Sequence, residues 1–184
     1  MNRYMLKPLV LGLSFVFLAA CLGVTLTAPD MPAKMFKPSK VKMTTINGVK
    51  LGLPAGWKNN PKITKNYKAS DTVVLIEHKK LGEMVIMKKP FMGDARYGKI
   101  VVLGLVPEVM PDAERVTREM SLPNRAIMQI FRGTFTVGGR RMPFRMYTAY
   151  NIDGGTYHMY ANMPDTKENK RLYNDFIAVA NSIR

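Results

Sequence analysis

Two stretches joined by a glycine pair decide the fold: Ala126–Val137 (AIMQIFRGTFTV), then Gly138-Gly139, then Arg140–Tyr150 (RRMPFRMYTAY). Both runs are rich in β-branched and aromatic residues, and a Gly-Gly pair between two such runs reverses the chain into an antiparallel partner. Toward the C-terminus, Asp153-Gly154-Gly155 makes a second turn into Thr156–Met163 (TYHMYANM), the next strand. After it Asp165 stands as a helix cap with Glu168 three residues on, and Leu172, Phe176, Val179, Ala180 and Ile183 recur at helical spacing. That pattern predicts an amphipathic helix over 165–184, lying on the sheet.

Toward the N-terminus, Arg115–Ser121 is a further strand candidate. The segment Asp94–Val109 predicts a helix capped by Asp94, with Ile100, Val101, Leu103 and Leu105 as its apolar positions, weakened by Gly98, Gly104 and Pro107. Asp71–Glu77 and Glu83–Lys89 pair as a hairpin across Lys79-Lys80-Leu81-Gly82. Val41–Ile46 and Val49–Leu53 pair across Asn47-Gly48, the strongest short hairpin signal. Residues 41–184 therefore form one α+β domain, an antiparallel sheet of about six or more strands with a mid-chain helix and a C-terminal amphipathic helix. Methionine is frequent, 15 residues of 184. Strand alternation puts Met84 and Met87 on opposite faces, and puts Met142 and Met146 beside Phe144, where they read as core filler rather than as a copper site.

Residues 1–28 address the chain to a membrane. Arg3 and Lys7 precede an apolar run from Leu9 that reaches Cys21, the n-region and h-region of an export signal. Leu18-Ala19-Ala20-Cys21 resembles the bacterial lipobox, in which the cysteine thiol is diacylglyceryl-modified before cleavage. On that reading residues 1–20 are a lipoprotein signal peptide, and Cys21, the one cysteine, carries the acyl anchor, with fatty chains such as palmitate. The alternative is an uncleaved anchor, because Leu9–Ala28 holds no charge and its 20 residues suffice to span a bilayer. In both cases the positive residues ahead of the segment hold the N-terminus in the cytoplasm and export everything after it. Residues 21–40, with Pro29, Pro32, Pro38, Lys34, Lys37 and Lys40, read as a tether that builds neither helix nor ladder.

Gly52-Leu53-Pro54-Ala55-Gly56-Trp57 near the start of the domain and Tyr160-Ala161-Asn162-Met163-Pro164-Asp165 near its end, set in this order of elements, resemble the PsbP-like α/β/α sandwich. With an acylated N-terminus the layout is similar to DcrB-type bacterial envelope lipoproteins. The resemblance implies a non-catalytic domain, an accessory of membrane machinery or of envelope maintenance, and it carries over no active-site residues.

The remaining chemistry agrees with binding rather than catalysis. His78 and His158 are the two histidines, and neither is accompanied by a Gly-x-Ser-x-Gly elbow or a reactive cysteine, so no catalytic residue, metal ligand or cofactor is expected. Charge is the stronger clue: 28 Lys and Arg against 13 Asp and Glu give +15. Lys58, Lys62, Lys65 and Lys68 lie on one polar segment, and Arg141 and Arg145 share a strand face with Tyr147. These six are the expected contacts for an anionic partner. Export disfavours nucleic acid, leaving anionic lipid headgroups or an acidic envelope protein. The expected function is that of a tethered lipoprotein facing the periplasm or cell exterior, with an accessory or envelope-maintenance role through its basic surface. The alternative is a single-span structural subunit of an integral membrane complex.

Overall fold

The computed structural model describes residues 38–61, 72–88, 96–137, 139–166 and 169–184. The signal, the anchor, most of the tether, and the two expected capping-region acids Asp94 and Glu168 lie outside the described residues.

Strands β1 (Val41–Ile46) and β2 (Val49–Pro54) form a two-stranded hairpin. Its turn has Asn47 at φ 49° and Gly48 at φ 80°, the pair of left-handed residues an Asn-Gly turn supplies. The main sheet holds β3 (Lys58–Asn59), β4 (Thr72–His78), β5 (Gly82–Lys88), β6 (Glu114–Arg115), β7 (Met120–Ser121), β8 (Ile127–Val137), β9 (Arg140–Ile152) and β10 (Tyr157–Pro164). Its order is β3-β4-β5-β10-β9-β8-β6, with β7 also on β8, and every pairing is antiparallel. Two helices are described, α1 (Tyr97–Val109) and α2 (Asn169–Ser182), one on each face of the sheet.

Burial on both faces follows from strand alternation. Val74, Ile76, Met84 and Ile86 pack with Leu51, Trp57, Tyr147 and Phe176 under α2 and the β1–β2 hairpin. Leu75, Val85, Met87 and Met146 point the other way and pack with Val102 and Val106 of α1. The methionines fill both cores, Met84, Met128, Met159 and Met163 on one side and Met87, Met110 and Met146 on the other. Met142 departs from that expectation, being 39 % exposed. The reason lies in the prolines. The Pro143 carbonyl accepts from Asp165 N at 2.8 Å, so the N–H that Pro143 lacks would have faced β10, and the β9–β10 ladder ends at Phe144 and Pro164. Residues 140–142 therefore pair with β8 alone and overhang the sheet by roughly 10 Å.

Three local expectations are corrected. The single strand expected over 115–121 is two short bridges, β6 and β7, because Thr117 Oγ1 accepts the Ile130 N–H at 3.0 Å and takes the place of a ladder bond. Asp165 does not cap α2, which begins at Asn169; its carboxylate instead accepts from Arg132 Nε at 2.7 Å and Arg145 Nε at 2.8 Å. The inward face of α1 is centred on Gly98, Val102 and Val106, with the expected Val101 and Leu105 half-buried at its side, while the expected Ile100 is 66 % exposed. Gly98 sets that rotation, since a Cβ there would stand 3.3 Å from His158 Cβ and hold the helix off β10.

Candidate functional site

Helix α1 is apolar around most of its circumference, with only Lys99 and Glu108 charged, whereas a surface helix ordinarily turns a polar face outward. Its outer side presents Ile100, Gly104 and Pro107, and the chain leaves it through buried Met110 and exposed Pro111. The overhang of β8 and β9 continues this surface. Phe135 and Met142 oppose each other across the two strands, 37 % and 39 % exposed, and the Phe135 ring lies 5.4 Å from that of Phe144.

Two cavities lie along this surface and share Pro111. One, of about 260 Å³, is lined by Leu103, Val106, Pro107, Met110, Gln129 and Phe131, with Arg115 at its edge. The other, of about 310 Å³, is lined by Val109, Asp112, Thr134, Phe135, Thr136 and Arg141. The rim is basic. Arg140 is exposed at the tip of the overhang. Arg141 Nη2 donates to Asp112 Oδ2 at 2.8 Å and to Thr134 Oγ1 at 2.7 Å, while Thr134 N and Oγ1 donate to the two Asp112 oxygens at 2.9 and 2.6 Å. The Thr134 hydrogen bonds first, and Arg141 after them, hold the Asp112 carboxyl below the usual carboxylate range. At the other end of α1, Lys99 Nζ and Tyr150 Oη donate to Glu119 Oε1 at 2.7 and 2.8 Å and lower its pKa. Desolvation, then the bond to Glu119, pushes the Tyr150 hydroxyl up.

The residues expected from the sequence are distributed differently. Arg141 lies on this rim. Arg145, on the α2 side with Tyr147, is 23 % exposed and shares Asp165 with Arg132. Lys58 lies on β3 at the opposite part of the sheet, with β4, β5 and β10 between it and β9. Lys62, Lys65 and Lys68, and the lipobox Leu18, Ala19, Ala20 and Cys21, lie outside the described residues. Phe135, Gln129 and Arg140 were not singled out in the sequence, and Ile100 and Met142, read there as core positions, are exposed. The signal available was the Arg140-Arg141 doublet directly behind a two-glycine turn and ahead of Met142-Pro143, a strand end that proline keeps free of a second neighbour.

A third cavity, of about 630 Å³, opens beside Gly56, Lys58, Glu77, His78, Lys79 and Glu83. Both ring nitrogens of His78 face protein groups: Nδ1 accepts from Lys80 N and Leu81 N at 3.1 and 3.2 Å, and Nε2 lies 3.3 Å from Arg171 Nη2. Burial, then the Arg171 charge, lowers its pKa. His158 is fully buried, with its ring edge-on to Tyr97 at 5.9 Å. Among the described residues no three His, Cys, Asp or Glu side chains gather to hold a metal ion, and no helix is long and apolar enough to cross a membrane.

No protein-family model matches the chain, and no curated protein matches it. Among solved structures it is similar to LpqN, described as involved in cell envelope biogenesis of Mycobacterium tuberculosis. The two share 12 % identity over 79 % of this chain and 84 % of that chain, with a TM-score of 0.45.

Proposed function

We propose that the protein is a non-catalytic, membrane-tethered domain of the cell envelope that lays its α1 and β8–β9 face on an anionic leaflet. One observation carries this reading: exposed Phe135 and Met142 stand on a two-stranded overhang whose tip and flank are Arg140 and Arg141. Apolar side chains that enter the headgroup layer, flanked by arginines that meet phosphate, are the chemistry of interfacial binding. Each basic residue near an anionic surface contributes about 1 kcal/mol, and the chain's excess of Lys and Arg acts in the same direction. Acylation at Cys21 supplies the tether, and the PsbP-like resemblance supports an accessory rather than catalytic role.

Hydrogen–deuterium exchange on the full chain tests the docking. With phosphatidylglycerol-containing vesicles, residues 100–111 and 133–142 gain protection; with phosphatidylcholine vesicles they do not. The double variant Phe135→Asp with Arg140→Glu abolishes that gain while the protein stays membrane-bound. Equal protection on both lipids overturns the docking face. The intact mass of protein extracted from its own membrane tests the tether separately: a chain beginning at acylated Cys21 supports it, and a chain retaining residues 1–20 replaces it with the spanning anchor.

A further inference from the structure

The smaller cavity beneath α1 has a wall that the core does not satisfy. Gln129 is 2 % exposed, and its Oε1 has no hydrogen-bond partner among the described residues. The amide stands among Leu103, Val106, Met110 and Phe131, in a position a leucine or methionine would fill without a polar atom. A buried acceptor left without a donor costs about 1–3 kcal/mol, so its presence calls for a donor from outside the chain. Pro107 adds a second acceptor nearby. It has no N–H to give the Leu103 carbonyl four residues earlier, and both residues line the same cavity.

Size and charge narrow the ligand. A volume of about 260 Å³ matches roughly nine water molecules, hence roughly nine non-hydrogen atoms. Arg115 is the one charged side chain among the lining residues and disfavours a cation. We infer that this cavity binds a small, neutral, largely apolar molecule that donates one N–H or O–H hydrogen bond to Gln129 Oε1. The inference goes beyond docking on a membrane and is tested without an anionic surface, so either can fail alone.

Indole and benzofuran are suitable probes, since they share a ring frame and differ by one N–H. The full chain, held in phosphatidylcholine nanodiscs and labelled at its methionine methyl groups, reports occupancy through Met110, which lines the cavity. Indole is expected to shift the Met110 resonance saturably, with a Kd at least tenfold below that of benzofuran. Gln129→Met should bring the two Kd values together. Should that variant fail to fold, Leu103→Trp replaces it and is expected to abolish the Met110 shift while the other methionine resonances keep their positions. No saturable shift, equal affinities in the unmodified chain, or a preference for indole that survives Gln129→Met would overturn the assignment.

Discussion

The two helices cover opposite faces of one sheet and are held there in different ways. Helix α2 buries Leu172, Phe176, Ile177, Val179 and Ala180 and is joined to distant segments by polar contacts. Its buried Asp175 accepts from Trp57 Nε1 at 2.8 Å and from Ser39 Oγ, and Ser182 Oγ accepts from Gly52 N at 2.7 Å. Asn124 Nδ2 reaches the Ala180 carbonyl at 2.9 Å. Helix α1 carries a proline in its last turn, exposes Ile100, and covers a cavity with an unsatisfied amide oxygen. The α2 side is a layer whose charge is answered from within the chain. Among the described residues a buried amide oxygen lacks a partner on each side, Asn174 Oδ1 of α2 and Gln129 Oε1 beneath α1. What sets the α1 side apart is its open apolar surface, as expected when the partner is another molecule.

The largest test of this contrast is Phe176→Ala against Ile100→Ala. The first should cost about 3–5 kcal/mol and the second less than about 0.5 kcal/mol, read by urea unfolding through Trp57, the one tryptophan in the chain. Comparable losses would end the comparison. Next, Asp175→Asn should cost about 2 kcal/mol, because Trp57 Nε1 loses an ionised acceptor. Gln129→Met, which removes a polar group of the other layer, should be neutral or stabilising by up to about 1 kcal/mol. A loss of the size seen at Asp175 would mean that the Gln129 amide is satisfied inside the protein.

The smallest effects separate the two sides by pH. The His78 pKa is lowered in the fold, so its contribution is present above the unfolded value near 6.5 and is lost as pH falls through the folded one. Trp57 reports this, its ring 5.5 Å from the imidazole, and His78→Gln should remove the step. On the α1 side, Asp112 and Glu119 are depressed carboxylates, and their contribution is present above about pH 4 and lost only below it. Glu119→Gln should flatten the acid limb of the Tm profile and leave the His78 step in place. A single transition shared by both variants would show that the two sides titrate together.

The parts of the fold legible in the sequence were those with a local cause. Asn47-Gly48 sets its own backbone, period-two alternation separates Met84 from Met87, and Leu172, Phe176 and Val179 mark the buried stripe of α2 without reference to anything else. On α1 periodicity had little to distinguish, because nearly every position is apolar, and the choice of inner face fell to Gly98 against His158. Asp165 looked like a cap because a cap is a short-range pattern, yet Arg132 and Arg145 reach it from two other strands. The candidate site was legible only at Arg141, and even there the charge met Asp112, 29 residues away.

By itself the sequence determined most of the strands, the turns, the terminal helix and the basic charge of the chain, because propensity, turn chemistry and hydrophobic period act over a few residues. Only the tertiary structure decided that β9 outruns β10, that Trp57 is locked to an acid 118 residues later, and that Gln129 stands unsatisfied beside a cavity. Those outcomes depend on which distant groups meet. A side chain is paired, exposed or left without a donor by its neighbours in space, and chain spacing does not specify them.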